Sequence, residues 1–181
     1  MAPHTLAPHT EIYSAFLALL LNQTKTTAVS DERLSLKKMT YPEVETMAFQ
    51  LSLQLDYLEE QGFSLLFWQP SDIVVIPNAT QTLYLLANLA QMVPLDKKDR
   101  NNLVLIYPTV FPLPQERCAP ELLKMNALPF RTHRSASYYS LALLCLEKLN
   151  LSLQQIEGSN LFYFLERCLQ EEPKERTLVF F

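Results

Sequence analysis

The chain has 181 residues, 49% of them hydrophobic and 19% charged, with a formal net charge of -4 at pH 7. That length and composition suit one folded domain with a real core. They argue against a disordered chain and leave no electrostatic footprint for nucleic acid.

Ala-Pro-His-Thr is written twice in the first ten residues; residues 1–9 read as a tail and residues 10–181 as one domain. Thr10 caps a predicted helix that runs to about Asn22, with Ile12, Phe16, Leu19 and Leu20 on one face. Its apolar run, Ile12 to Leu21, is ten residues long, about half of what a membrane span needs. No basic start precedes it, so it is read as a core helix, neither a signal peptide nor an anchor. Residues 24–38 are polar and mixed and read as a loop. Thr40-Tyr41-Pro42-Glu43 is a helix start: a capping threonine, a glutamate three residues on, and a proline where no amide donor is needed. Val44, Met47, Ala48, Leu51, Leu55 and Leu58 continue it as a stripe, and Gly62 stops it.

Ile73–Ile76 and Thr82–Leu86 flank Pro77-Asn78-Ala79-Thr80 and predict a β-hairpin. Prolines at 94, 108, 112, 114 and 120 make Gln91 to Pro120 irregular, with a short strand over Leu103–Tyr107. Ser135 to Leu149 is apolar nearly all round and predicts a buried helix. Ser159 to Gln170 predicts a second. The chain closes on an apolar stretch, Thr177 to Phe181. The fold class expected from these elements is mainly α with a small β-hairpin region.

The chain has three cysteines, Cys118, Cys145 and Cys168, and they are far apart. With an odd count and no C-x-x-C, a zinc site or disulfide framework is not expected, and the reading is a cytoplasmic, reducing location. Only two glycines occur, Gly62 and Gly158. Neither of the glycine-rich phosphate-binding patterns can therefore be written anywhere. His133 has no acid or cysteine at metal-ligand spacing and reads as a solvated or capping side chain. Ser140 and Cys145 read as core residues.

Four marks stand in a fixed order: Leu58-Glu59-Glu60-Gln61-Gly62-Phe63 before Pro70-Ser71-Asp72-Ile73-Val74; then Ala119-Pro120-Glu121; then Ser137-x-Tyr139-Ser140-x-Ala142; then Pro173-Lys174-Glu175-Arg176. In that order they resemble the large, C-terminal lobe of a eukaryotic-type protein kinase, without the nucleotide-covering small lobe. Pro70-x-Asp72 matches the end of the family's His-Arg-Asp-Leu-Lys-Pro-x-Asn loop. Leu65-Leu66-Phe67 then stands where His-Arg-Asp should be, and Gln69 where the lysine should be. Phe67 would occupy the place of the catalytic base and can accept no proton. Asn88-Leu89-Ala90 stands for the metal-binding Asp-Phe-Gly. Asp72 replaces a metal-binding asparagine and is a weak candidate for Mg²⁺, though a lone carboxylate beside a hairpin reads first as a turn residue.

What the resemblance implies is a protein-kinase-like C-lobe that has lost its chemistry. Glu121 and Arg176 match a structural ion pair of the family. Ser137 replaces an aspartate that braces the catalytic loop, and its loss is read as a loop no longer held for catalysis. Tyr107 and Thr109 fall in the activation-segment region. The functional expectation is a pseudokinase, not an enzyme, with no cofactor, no metal and no membrane association. Its partner would be another protein, such as a true protein kinase, met through the large-lobe surfaces or the proline-rich segment Pro108 to Pro120. The alternative is a protein-kinase large lobe completed by a separate small lobe, with ATP-dependent phosphotransfer supported by Asp72.

Overall fold

A computed structural model of the chain describes residues 32–34, 38–77, 81–88, 92–106 and 113–179. The N-terminal tail, the helix expected over 10–22, most of the 24–38 loop, Leu89-Ala90, Tyr107, Thr109 and the last two residues lie outside them.

The longest element is α1, Tyr41–Glu60. Glu43 reaches back to accept from the Thr40 amide at 2.7 Å, which satisfies one of the orphan donors of the first turn. Val44, Met47, Ala48, Leu51 and Leu55 are all 0% exposed, so the helix is held by burial of its apolar stripe more than by propensity. Gly62, at φ +89°, ends it in the left-handed region. Arg100 then donates one Nη to the carbonyls of Glu59 at 2.9 Å and Glu60 at 2.8 Å. A cation is favoured at that end of a helix dipole.

Seven short strands follow or flank it: β1 Glu32–Arg33, β2 Phe63–Leu65, β3 Ile73–Ile76, β4 Leu83–Leu86, β5 Met92–Pro94, β6 Asn102–Leu105 and β7 Phe130–His133. They form an antiparallel sheet ordered β1-β3-β4 and two antiparallel pairs, β2-β5 and β6-β7. Three further helices are α2 Pro120–Leu123, α3 Ala136–Leu149 and α4 Asn160–Cys168. The chain is therefore mixed α and β. The expected mainly α class with one hairpin, taken as a protein-kinase-like C-lobe, is corrected by these three sheets. The hairpin of β3 and β4 is there, with Ile73 opposite Leu86 and Ile76 opposite Leu83. The other strands are two to four residues long and pair with stretches distant in sequence, such as Leu65 with Met92 and Leu105 with Phe130.

The outer edge of β4 is closed by side chains, not by a strand. Gln50 and Gln54, one turn apart on α1, lie along it. Gln50 donates to the Thr82 carbonyl at 3.1 Å and accepts from the Tyr84 amide at 2.7 Å. Gln54 donates to the Tyr84 carbonyl at 2.8 Å and accepts from the Leu86 amide at 2.9 Å. Each primary amide has a donor and an acceptor, so two of them reproduce the ladder of a neighbouring strand. An edge that would otherwise invite pairing is thereby satisfied.

Two apolar clusters share the described residues. One joins α1, α3 and α4 to Ile73 and Tyr84. The other joins Val93, Leu95, Leu103 and Leu105 to Cys118, Ala119, Leu122 and Ala136. The stretch Leu65–Trp68 links them: Leu65 and Trp68 pack into the first, Leu66 and Phe67 into the second. Among the described residues, no helix is long and apolar enough to cross a membrane.

Candidate functional site

The stretch Leu65–Asp72, from the end of β2 to the start of β3, holds the positions that the kinase resemblance sets against the catalytic loop. Leu65, Leu66, Phe67 and Trp68 are each no more than 1% exposed. A general base must reach the proton it takes; Phe67 has neither a lone pair for it nor a path to a substrate. The loop is nonetheless held firmly. Ser140 of α3 accepts from the Trp68 amide at 2.8 Å, and the Trp68 indole donates to the Ser137 carbonyl at 3.1 Å. The loop backbone is thus held with a serine at 137, where the resemblance expects an aspartate. A hydroxyl one turn further along α3 and a backbone carbonyl do the bracing.

The loop ends in a single 3-10 turn, Pro70–Asp72. The Asp72 amide donates to the Gln69 carbonyl at 2.9 Å, and the Asp72 carbonyl accepts from the amides of Ala87 and Asn88 at 2.8 and 3.3 Å. Asn88 Nδ2 donates to Asp72 Oδ1 at 2.7 Å. The two positions matched to the family's metal ligands therefore meet, but one carboxylate oxygen is already engaged and the side chain is buried. Gln69 is half-buried and accepts a long bond from Ser71 at 3.4 Å. Among the described residues, no group of three or more His, Cys, Asp or Glu side chains comes together to hold a metal ion.

Behind the loop lies a buried polar hub that residue patterns did not point to. Glu59, in the last turn of α1, is 3% exposed. One of its oxygens accepts from Tyr138 at 2.6 Å and from Arg134 at 2.8 Å; the other accepts from Ser64 at 3.1 Å. Burial pushes its carboxyl above the usual range, while Tyr138, Arg134 and Ser64 pull it back without cancelling the effect. The Tyr138 phenol is pushed up, first by burial and then by the charge of Glu59. A glutamate four residues after Leu55, on the apolar side of α1, was the available signal: an acid there must be paired.

That raised carboxyl has a consequence for stability. Between its ordinary value of 4.5 and its raised value, the folded state binds a proton that the unfolded chain has released. Stability contributed by Glu59 is thus largest at the acid end of this window and falls as pH rises through it. Urea melts of wild type and Glu59→Gln at pH 4.5, 6 and 7.5 measure this. The stability advantage of the wild type should shrink toward pH 7.5; an advantage that grows instead removes this assignment. His133 titrates in the opposite sense. Burial, then Arg134 and Arg176, depress it, so its stabilising contribution is lost on acidification below 6.5.

Glu121 and Arg176 meet at the N-terminal end of α3. Arg176 Nη1 lies 2.6 Å from Glu121 Oε1 and Nη2 lies 3.0 Å from Oε2, a two-pronged pair. The remaining donors go to the carbonyls of Gln170 at 2.7 Å, Glu171 at 3.1 Å and Ser135 at 3.5 Å. The guanidinium also stacks 4.8 Å over the Tyr139 ring. His133 Nδ1 sits 2.8 Å from Ser135 Oγ, and that hydroxyl donates to the Pro173 carbonyl at 2.6 Å. His133 is thus a capping neighbour at the start of α3. Cys118, Cys145 and Cys168 are free and buried. Burial pushes the Cys118 and Cys168 thiols to about 12 and raises that of Cys145 too, which makes all three poor nucleophiles.

No family model and no curated protein matches this chain.

Proposed function

We propose that the chain is a catalytically inactive relative of the protein kinases that acts by binding and regulating another protein, a true protein kinase being the favoured partner. The observation that carries this reading is Leu65–Trp68. At the place matched to the catalytic loop stand four apolar side chains that join two cores, while Ser140 and Ser137 hold the loop's backbone. The relationship rests on the order of the sequence marks, not on helix content. Positioning and charge stabilisation supply most of a kinase's rate enhancement, and the groups that would supply them are replaced at Phe67, Gln69 and Asn88.

With Mg²⁺ and labelled ATP, the purified chain should transfer no phosphate above buffer. Millimolar ATP with Mg²⁺ should leave its melting temperature unchanged, since only a ligand that binds the folded state raises it. Transfer that vanishes in Asp72→Ala would sink the proposal and favour a large lobe completed by a separate small lobe. The binding half is supported by a stoichiometric complex with a protein kinase whose kcat or KM the chain alters. It falls if kinases tested at micromolar concentration neither bind nor change rate.

A further inference from the structure

We propose that Glu59 and Arg134 form a proton-operated latch at the junction of α1, β2 and α3: when Glu59 takes up a proton, the Arg134 side chain leaves the junction for water. Arg134 lies in the turn between β7 and α3, and its side chain is 34% exposed. Among the described residues, the one hydrogen bond of that side chain runs from Nη1 to Glu59 Oε2. Its Nε is buried and meets no acceptor there. A buried donor left unmet opposes the position it occupies. The charge of Glu59 is therefore what holds the guanidinium inward, and water is within reach of a side chain already one-third exposed. Neutralising Glu59 would leave a half-buried cation without its anion, which favours release.

The junction can accept the proton without losing its other bonds. Glu59 Oε1 faces Ser64 Oγ at 3.1 Å, Ser64 Oγ lies 3.3 Å from Ser137 Oγ, and Ser137 Oγ donates to the Arg134 carbonyl at 2.9 Å. A hydroxyl donates or accepts as its neighbours require. With the proton on Oε1, Glu59 donates to Ser64, Ser64 donates to Ser137, and Oε2 still accepts from Tyr138. Only Arg134 loses its partner's charge. The other charged groups around Glu59 are otherwise occupied or act the same way. Asp56, on the same helix, favours the protonated carboxyl. Arg100, from the turn between β5 and β6, is spent on the carbonyls of Glu59 and Glu60. The Tyr138 phenol is pushed up and keeps its proton. His133, next to Arg134, faces Ser135. Burial favours proton uptake above the ordinary value of 4.5. Coupling between two groups is reciprocal, so taking Arg134 away must strengthen the hold of Glu59 on its proton.

The chain carries its own reporter. Trp68 is its single tryptophan, and the indole donates to the carbonyl of Ser137, the last serine of that hydroxyl chain. Trp68 emission of the full chain, followed from pH 8 to pH 4, should show a one-proton titration with its midpoint above 4.5. It should be lost in Glu59→Gln, kept in His133→Gln, and moved to higher pH in Arg134→Gln. A midpoint that Arg134→Gln leaves in place overturns the proposal, and so does a titration that survives in Glu59→Gln. A second reading uses the unaltered chain with ¹⁵N-labelled arginine, so it stands even where a variant fails to fold. The Arg134 Nε signal, assigned by its absence in Arg134→Lys, should move over the same pH range to the position it has in urea. A signal that keeps its neutral-pH position throughout means that the guanidinium stays in the junction, and the latch is wrong.

Discussion

Arg176→Ala should unfold the protein or destabilise it by about 3–5 kcal/mol, the usual effect of stranding one half of a buried ion pair. A domain of this size has only about 5–15 kcal/mol to lose. The Arg176 side chain is 0% exposed and that of Glu121 is 19% exposed. The two single changes are therefore not equivalent. Without Arg176, Glu121 can turn toward water, but three carbonyls and the Tyr139 ring lose their partner. Without Glu121, a fully buried cation keeps only carbonyl dipoles and the Tyr139 ring. Arg176→Lys retains the charge but not the planar fork that serves five acceptor contacts, so it should recover little. The double change Glu121→Ala, Arg176→Ala should cost less than the sum of the singles, because the second removal no longer strands anything. Chemical denaturation of the four proteins closes the cycle. Strict additivity would mean that the pair is not coupled, and the alignment of Ala119-Pro120-Glu121 with Pro173-Lys174-Glu175-Arg176 would lose its main support.

What could be read in advance was whatever spans several turns or several marks. α1 announces itself through Thr40, Pro42, Glu43, a long stripe and Gly62, all of which agree. The β3–β4 hairpin is two β-branched or leucine-rich runs around a proline turn, and α3 is too apolar to lie anywhere but inside. β1, β2, β5 and β7 were illegible for a physical reason. Each contributes only two to four residues, too few for an alternation to stand out, and each is fixed by a partner far along the chain. Pro94 even ends β5, where a proline ordinarily argues against a strand. The amide ladder was half legible. Gln50 and Gln54 interrupt the apolar side of α1 at a spacing of four, which marks them as buried and partnered, but nothing local names Thr82, Tyr84 and Leu86 as the partners. At the site, the marks themselves were readable while their supports were not. Ser137 in place of an aspartate read as a loop no longer held for catalysis, and nothing in the sequence named Ser140 as the acceptor for the Trp68 amide. A hydrogen-bond acceptor can be moved one turn along a helix without leaving any pattern in the sequence.

Placing an acid at residue 67, Phe67→Asp, should destroy the fold and confer no phosphate transfer. Phe67 is 1% exposed, in a cluster with Leu66, Val93, Leu95, Leu103, Leu105 and Leu122. Truncating a buried phenylalanine to alanine already costs about 3–5 kcal/mol through lost burial and the cavity left behind. Aspartate adds the desolvation of a carboxylate with no cation among those neighbours, several kcal/mol more unless it takes up a proton. The sum approaches or exceeds the whole stability of a domain. Phe67→Leu separates shape from charge: it keeps the site apolar and should cost only about 1–2 kcal/mol. The expected order of urea midpoints is thus wild type, Phe67→Leu, Phe67→Ala and Phe67→Asp, the last without a cooperative transition at neutral pH. Lowering the pH should partly rescue Phe67→Asp, since protonation removes the buried charge. A variant that melts like the wild type would mean that residue 67 faces solvent. One that gained ATP-dependent transfer would mean that the loop still stands ready for catalysis, and the inactive reading would fall with it.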